Sequence, residues 1–525
     1  MKRFVLPLLF SLPIFCYAQR FDVILKNGRI IDGSGNPWFY GDVGIRRGEI
    51  SAVGDLSGNR AKRIVDVHRQ VIAPGFIDVH THIEDDETKT PTADNFIYDG
   101  VTSVLTGNCG ASNVDLKTYF RTLNTIHLSV NVGSFIGHND VRRTVLGTAD
   151  IQPDAAQLKT MQHLVERAMK DGAIGFSTGL IYTPGTYSHT DEVVALASAA
   201  AKYHGVYTSH IRNESDQVFA AIDEAINVGR QNKMPVEISH FKVGKPNWGR
   251  TDEMIAMVEK ARREGLDVTV DQYPYTASST NLNVLAPSWM LSGGPDSIVA
   301  RLADSTIKKK VVTEMLSDMK RRQQPDFSYA VVASCEWDPS LNGKNIHEIT
   351  AKRGMKQTIP NEIETILYMI GKGGAAMVFH GMADADVENI MRYPLTMVAS
   401  DSGIRLFNSG VPHPRGYGSN ARVLNMYVRE KGTLRLEDAI RKMTSLPAQK
   451  FALHNRGLLR PGMAADVVVF DPDAVRDRST YEKPHAYSTG FSFVLVNGKF
   501  TVENGRHNGT RAGEVLYGPG HGEKL

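Results

Sequence analysis

Eight short apolar runs ending in polar residues, separated mostly by amphipathic stretches, predict an α/β chain folded as a (β/α)8 TIM barrel. The expected strands cover residues 75–82, 102–109, 130–138, 172–178, 205–212, 235–242, 267–273 and 395–401. Between them, residues 158–170, 216–231 and 253–264 carry apolar side chains at helical spacing. Two β-rich segments flank this body. The first has turns at Asn27-Gly28, Asp32-Gly33 and Arg47-Gly48, and the second has strand-like runs over 465–470 and 492–498. Their shared texture predicts one small β-sandwich assembled from both chain ends.

Taken in order, residues 1–18 read as a signal peptide. Lys2 and Arg3 precede an apolar run over 4–15, and Ala18 offers a small residue at a cut before Gln19. Lipid attachment at Cys16 is the rival reading, opposed by the bulky Phe15 before it. Export to the periplasm or beyond is therefore expected. Residues 19–72 form the N-terminal part of the sandwich, 73–452 the barrel, and 453–525 the C-terminal part with a tail. The gap between the seventh and eighth strands is too long for a plain loop, so an insertion over about 288–342 is expected to cap the barrel mouth. Within and beyond it, 330–333 and 375–379 look like strands.

The composition excludes several function classes. A 42% hydrophobic and 22% charged chain is an ordinary globular one. At a net charge of +3, with no long Lys/Arg run, it carries no signature of nucleic-acid binding. No stretch is long enough to span a membrane comfortably. A small-molecule partner is expected, and oligomeric state is left open. After the leader only Cys109 and Cys335 remain, enough for one disulfide, although the surroundings of Cys109 suggest another use.

That use is metal binding. His80 and His82 lie two apart at a strand end, so both face one side and can hold one divalent ion. Cys109 ends the second strand, His210 lies on the fifth, His240 on the sixth and Asp401 on the eighth. A single buried histidine is more often a satisfied core residue than a ligand. Six such residues gathered on one rim point to a metal centre at the end of the barrel where such folds keep their chemistry.

These residues sit in longer motifs: Pro74-Gly75-Phe76-Ile77-Asp78-Val79-His80-Thr81-His82, Gly107-Asn108-Cys109-Gly110, Ser209-His210-Ile211-Arg212-Asn213-Glu214, Ile238-Ser239-His240-Phe241-Lys242, Asp271-Gln272-Tyr273-Pro274-Tyr275, Ser400-Asp401 and His413-Pro414-Arg415. Over nearly the whole mature length the chain resembles the N-acyl-D-amino-acid deacylases, or D-aminoacylases, of the metal-dependent amidohydrolase superfamily. Many relatives bridge two metals with a modified lysine on the fourth strand. Here that strand ends in Ser177 and Thr178, and the cysteine motif marks the deacylase group.

The resemblance implies a tight zinc on Cys109, His210 and His240, with a second, weaker site at His80 and His82 that shares Cys109. It implies that Asp401 moves the proton as zinc activates water and polarises the scissile amide. A helix N-cap before Ser402-Gly403 is the structural alternative for Asp401. It also implies that Lys242, Tyr273, Ser279 and Arg415 hold the substrate's α-carboxylate, a task suited to cationic side chains. For Tyr273 and Ser279, a core and a turn position are the plain alternatives.

The activity implied is zinc-dependent hydrolysis of N-acyl-D-amino acids. Residues 278–290 carry no charge and include Leu282, Val284 and Leu285, so neutral or apolar side chains are expected over acidic ones. A D-configured dipeptidase or a cyclic-amide hydrolase is the alternative on the same scaffold. A non-catalytic binding protein is the lesser one, because no ligand is missing. His380 sits where an apolar residue is expected, lining the pocket or capping a strand, and His138 is expected to be structural or to support a ligand without being one.

Overall fold

The eight expected parallel strands are present, each shorter than its apolar run: Phe76–Asp78, Val101–Thr106, Asn131–Ser134 continued by Ile136–Gly137, Gly175–Gly179, Val206–His210, Val236–Ile238, Val268–Gln272 and Thr396–Val398. The structure is a computed structural model describing residues 20–522, and the leader expected over 1–18, with Cys16, lies outside the described residues. The strands stop early because the last residues of most runs leave the ladder and become the loops that carry the polar groups.

Neighbouring strands pair in parallel and in chain order, from the first to the eighth. The first and eighth meet just beyond their ends. Asp401 N–H donates to His80 O at 2.9 Å, His82 N–H donates to Ser402 O at 3.0 Å, and Thr81 bridges Ser402 in the parallel sense. Asp78 stitches the same seam: its Oδ1 accepts the N–H of Ser400 at 3.1 Å and of His80 at 3.2 Å. Burial pushes this carboxyl up to about 6 despite those donors.

Helices Ala155–Asp171, Thr190–Ala201, Val218–Asn232 and Thr251–Arg263 alternate with the middle strands. Their apolar faces, including Met161, Val165, Leu196, Ile222 and Val258, share one core with Val236 and Val268 of the strands. Helix Ala155–Asp171 shows how the sequence sets its limits. Asp154 and Gln157 form a reciprocal capping box, and Gly172 ends the helix in a left-handed conformation at φ +114°.

Between the seventh and eighth strands the chain builds a separate layer. Strands Ala277–Asn281, Ala376–His380 and Ala330–Ser334 pair antiparallel in that spatial order. Helices including Ser305–Arg321 and Ile359–Gly371 pack with them around Met290, Met315, Val332, Ile366 and Met377. Residues on both sides of 288–342 contribute to this core, because the strand at 330–334 finds its partner in the strand at 376–380.

Both chain ends enter one nine-stranded sheet. The join is antiparallel pairing of Val71–Pro74 with Val467–Phe470. Leu25, Ile30, Val43 and Ile72 from one end pack in a common core with Val467, Val469 and Leu495 from the other. This is the union that the matching texture of the two segments predicts.

Candidate metal centre

His80, Cys109, His210, His240 and Asp401 all lie at or just past the carboxyl ends of the parallel strands, and all are buried. His82 is part-buried beside them. Cys109, His240 and Asp401 adopt positive φ, at 52°, 35° and 51°. Left-handed backbone costs a non-glycine residue about 1–2 kcal/mol. Three such residues around one point mark a place where the fold holds side chains against local preference.

The Cys109 turn shows how. Gly107 and Gly110 flank it at φ +78° and +76°. Asn108 Nδ2 donates to Leu105 O at 2.9 Å and Val79 O at 3.2 Å. From the fourth strand, Ser177 Oγ donates to Gly107 O and accepts the Gly110 N–H at 3.2 Å. The strand that carries no lysine instead supplies a hydroxyl that pins the cysteine turn.

Cys109 Sγ lies 3.6 Å from His210 Nδ1 and 3.7 Å from His240 Nε2, and those two nitrogens are 2.8 Å apart. On the other side His80 Nε2 is 3.2 Å from the same sulfur. Asp401 Oδ1 sits 3.2 Å from His82 Nε2 and 3.6 Å from His80 Nε2. The donors thus form two groups that meet at Cys109 and His80. Behind them, Asp271 accepts the His240 backbone N–H at 2.8 Å through Oδ1 and approaches His80 Nδ1 at 3.1 Å through Oδ2.

The charges are mutually dependent. Burial pushes the Cys109 thiol up, but His80 and the His210 and His240 rings overcome it and hold it well below the ordinary thiol range. Burial likewise pushes Asp401 up, and the Arg415 guanidinium and His80 hold it well below the usual carboxylate range. The anions act back on the histidines. Burial alone would favour a neutral His82, yet Asp401 and Cys109 raise it to about 9.

These residues fit a divalent metal. A tetrahedral zinc with bonds of about 2.3 Å to sulfur and about 2.0–2.1 Å to nitrogen sets sulfur and nitrogen about 3.5 Å apart. The Cys109 separations of 3.6 and 3.7 Å match that spacing, while the two histidine nitrogens at 2.8 Å must part slightly. The donor chemistry fits as well: buried anions that draw protons onto His80 and His82 would be answered by a cation, with those protons released.

The four residues expected to bind a carboxylate are brought together unevenly. Arg415 is buried, with Nη1 2.8 Å from Asp401 Oδ2, Nη2 donating to Ser279 O at 3.1 Å, and Nε without a protein partner among the described residues. Its guanidinium carbon stands 4.6 Å from the Tyr273 ring, and Lys242 Nζ lies 5.8 Å from the same ring. Lys242 Nζ donates to Glu214 Oε1 at 2.5 Å and sits 2.8 Å from His240 Nδ1. Ser279 lines the same cavity, but its hydroxyl donates to Met377 O at 2.8 Å.

Glu214, Asp271 and Tyr182 are absent from the residues singled out from sequence. Asp271 left a signal, an acid inside an apolar strand, and Glu214 lies four residues past His210 within a quoted motif. Tyr182, which closes the run Gly175-Phe176-Ser177-Thr178-Gly179-Leu180-Ile181-Tyr182 that also carries the family resemblance, packs edge-on against His210 with ring centroids 4.7 Å apart. His380 is not among the cavity-lining residues and packs on Tyr481 at 4.8 Å. His138 is structural, with Nε2 2.8 Å from Glu192 Oε1. Cys109 and Cys335 are both free thiols.

Residues 63–288 and 328–502 match the amidohydrolase family. The chain is 35% identical to an N-acyl-D-glutamate deacylase of Alcaligenes xylosoxydans xylosoxydans, covering 91% of this chain and 93% of that one. It is 34% identical, with a TM-score of 0.81, to a D-aminoacylase with a binuclear metal centre, activated by one metal and attenuated by a second; 95% of this chain and all of that one are covered. An N-acyl-D-glutamate deacylase from Bordetella bronchiseptica, in complex with zinc and a phosphonate mimic of the tetrahedral intermediate, is 33% identical with a TM-score of 0.82 at the same coverage.

The Cys109 turn yields a direct test. A Cβ on Gly110 would meet Asn139 Oδ1 at 2.3 Å and the Gly179 nitrogen at 2.8 Å, in a backbone conformation that already disfavours a side chain. Gly110→Ala is therefore expected to displace Cys109 and deplete bound metal while secondary structure persists. Metal analysis beside circular dichroism checks this, and a folded variant with full metal would contradict it.

Proposed function

The chain belongs to the D-aminoacylase group of the amidohydrolase family, and from that premise we propose that it hydrolyses the amide bond of N-acyl-D-amino acids with zinc at the Cys109–His210–His240 trio. The observation that carries this reading is that trio, with its donor spacings, set beside a buried carboxylate and a buried guanidinium with an unpartnered nitrogen. We read the eight parallel strands as the closed (β/α)8 barrel and the nine-stranded sheet as the sandwich that braces it. The basic and apolar leader supports export to the periplasm or beyond.

Cys109, His210 and His240 would hold the zinc, which when bound would supply an activated water and polarise the scissile carbonyl. Asp401 reaches into the cavity as a carboxylate, so it can take a proton from that water and pass one to the leaving amine. Arg415 and Lys242, gathered about Tyr273, take the free α-carboxylate, and Ser279 shapes the wall beside Arg415. His80 and His82, with Asp401 between them, form the second and weaker cation position. A free carboxylate in this clamp favours open-chain N-acyl amino acids over cyclic amides.

Val284, Leu285, Phe379 and Met382 give the cavity apolar walls, which supports D-amino acids with neutral or apolar side chains. The second reading is an acidic side chain. Arg322 lines the same cavity, with Nε 2.6 Å from Asp318 Oδ2, and a relative at 35% identity is an N-acyl-D-glutamate deacylase.

Two measurements test these proposals. Asp401→Asn keeps the size of the side chain but removes its proton acceptor, so bound zinc is expected to remain while kcat falls by about 10²-fold or more. A near-normal rate with zinc in place would give the proton to another group. The kcat/KM values for N-acetyl-D-leucine and N-acetyl-D-glutamate, with the L-isomers as controls, are expected to favour D-leucine. Preference for D-glutamate would overturn the apolar reading alone, and activity confined to L-isomers would sink the proposed reaction.

A further inference from the structure

Cys109 is approached by unlike nitrogens of two rings, Nδ1 of His210 and Nε2 of His240. The opposite nitrogens turn toward a single carboxylate. His240 Nδ1 is 3.0 Å from Glu214 Oε1, with Lys242 Nζ beside the same nitrogen at 2.8 Å, and His210 Nε2 faces Glu214 Oε2 at 3.7 Å, beyond hydrogen-bond distance and with no hydrogen-bond partner among the described residues. We propose that Glu214 is the positioning residue of the metal centre, one carboxylate whose negative charge, set at the outer nitrogens of both histidines, favours an outward N–H on each. The proposal rests on the reading of the trio as a zinc site.

A neutral imidazole has one N–H and one lone pair, and a metal takes the lone pair. An acceptor at the outer nitrogen draws the N–H outward and leaves the lone pair facing inward. One carboxylate facing Nε2 of the first ring and Nδ1 of the second favours opposite tautomers in the two rings, the pair that these orientations require. Sequence position alone could not impose that.

Glu214 is itself anchored. Its backbone carbonyl accepts the Gly244 N–H at 2.7 Å, tying the loop after the fifth strand to the loop after the sixth. Asn213 Oδ1 accepts the N–H of Ser215 at 2.7 Å and of Gln217 at 3.1 Å, which sets the turn that presents Glu214. Lys242 Nζ, 2.5 Å away, balances its charge. The same carboxylate therefore links the proposed substrate clamp to both rings.

The test compares the zinc-loaded parent with Glu214→Gln and Glu214→Asp by chelator competition, with circular dichroism as the check on folding. Glu214→Gln is expected to weaken zinc binding by about 10–100-fold and Glu214→Asp by less, as for other partners of metal-bound histidines. A second readout needs no variant. The ring-nitrogen NMR shifts of the zinc-loaded parent are expected to place the proton of His210 on Nε2 and that of His240 on Nδ1. A folded Glu214→Gln with unchanged zinc affinity overturns the inference and leaves the zinc site standing, whereas a ring protonated on its inner nitrogen has no lone pair for zinc and overturns both. A parent that binds no zinc overturns both.

Discussion

The backbone hydrogen bonds that join the ends of the first and eighth parallel strands set the geometry of the whole centre. Asp401 donates its N–H to His80, and Thr81 bridges Ser402, so the His80–His82 pair and the Asp401 carboxylate become neighbours. Parallel pairing in chain order then brings the ends of the second, fifth and sixth strands to the same rim. Without the seam, Asp401 would have no fixed distance to His82 or to Arg415. Asp78, buried and bonded to Ser400 and His80, ties the seam from below.

Burial makes the centre electrostatically demanding. A thiol, three acids and four histidines crowd together, all buried but His82 and Glu214, and each buried group is tolerable only through its neighbours. The ion pairs follow from that: Arg415 with Asp401, Lys242 with Glu214. Both cations of the proposed carboxylate clamp are thus held in place before any ligand arrives, which lowers the entropic cost of binding one. The left-handed conformations at Cys109, His240 and Asp401 add local strain that the surrounding ladders and turns absorb.

The layer between the seventh and eighth strands contributes walls. Ser279 lies on its first strand, Phe379 on its central one, and Arg322 follows its long helix, so residues far apart in sequence line one cavity. This layer has its own apolar core, separate from the one that holds the parallel strands.

The sequence by itself determined the strand–helix alternation, the eight parallel strands and the strand-end residues His80, His82, Cys109, His210, His240 and Asp401. Each of these follows from local periodicity or from residue types that are rare at the end of an apolar run. The shared texture of the two chain ends announced a common sheet for the same reason. Only the tertiary structure decided the pairings across long separations: Ser177 with the Cys109 turn, Asp271 with His80, and Glu214 with two histidines from different strands. An acid looks the same in sequence whether it faces water or a buried ring. Its role depends on which loops the fold brings within hydrogen-bond reach, and here the parallel register and the turn at Asn213 decide that.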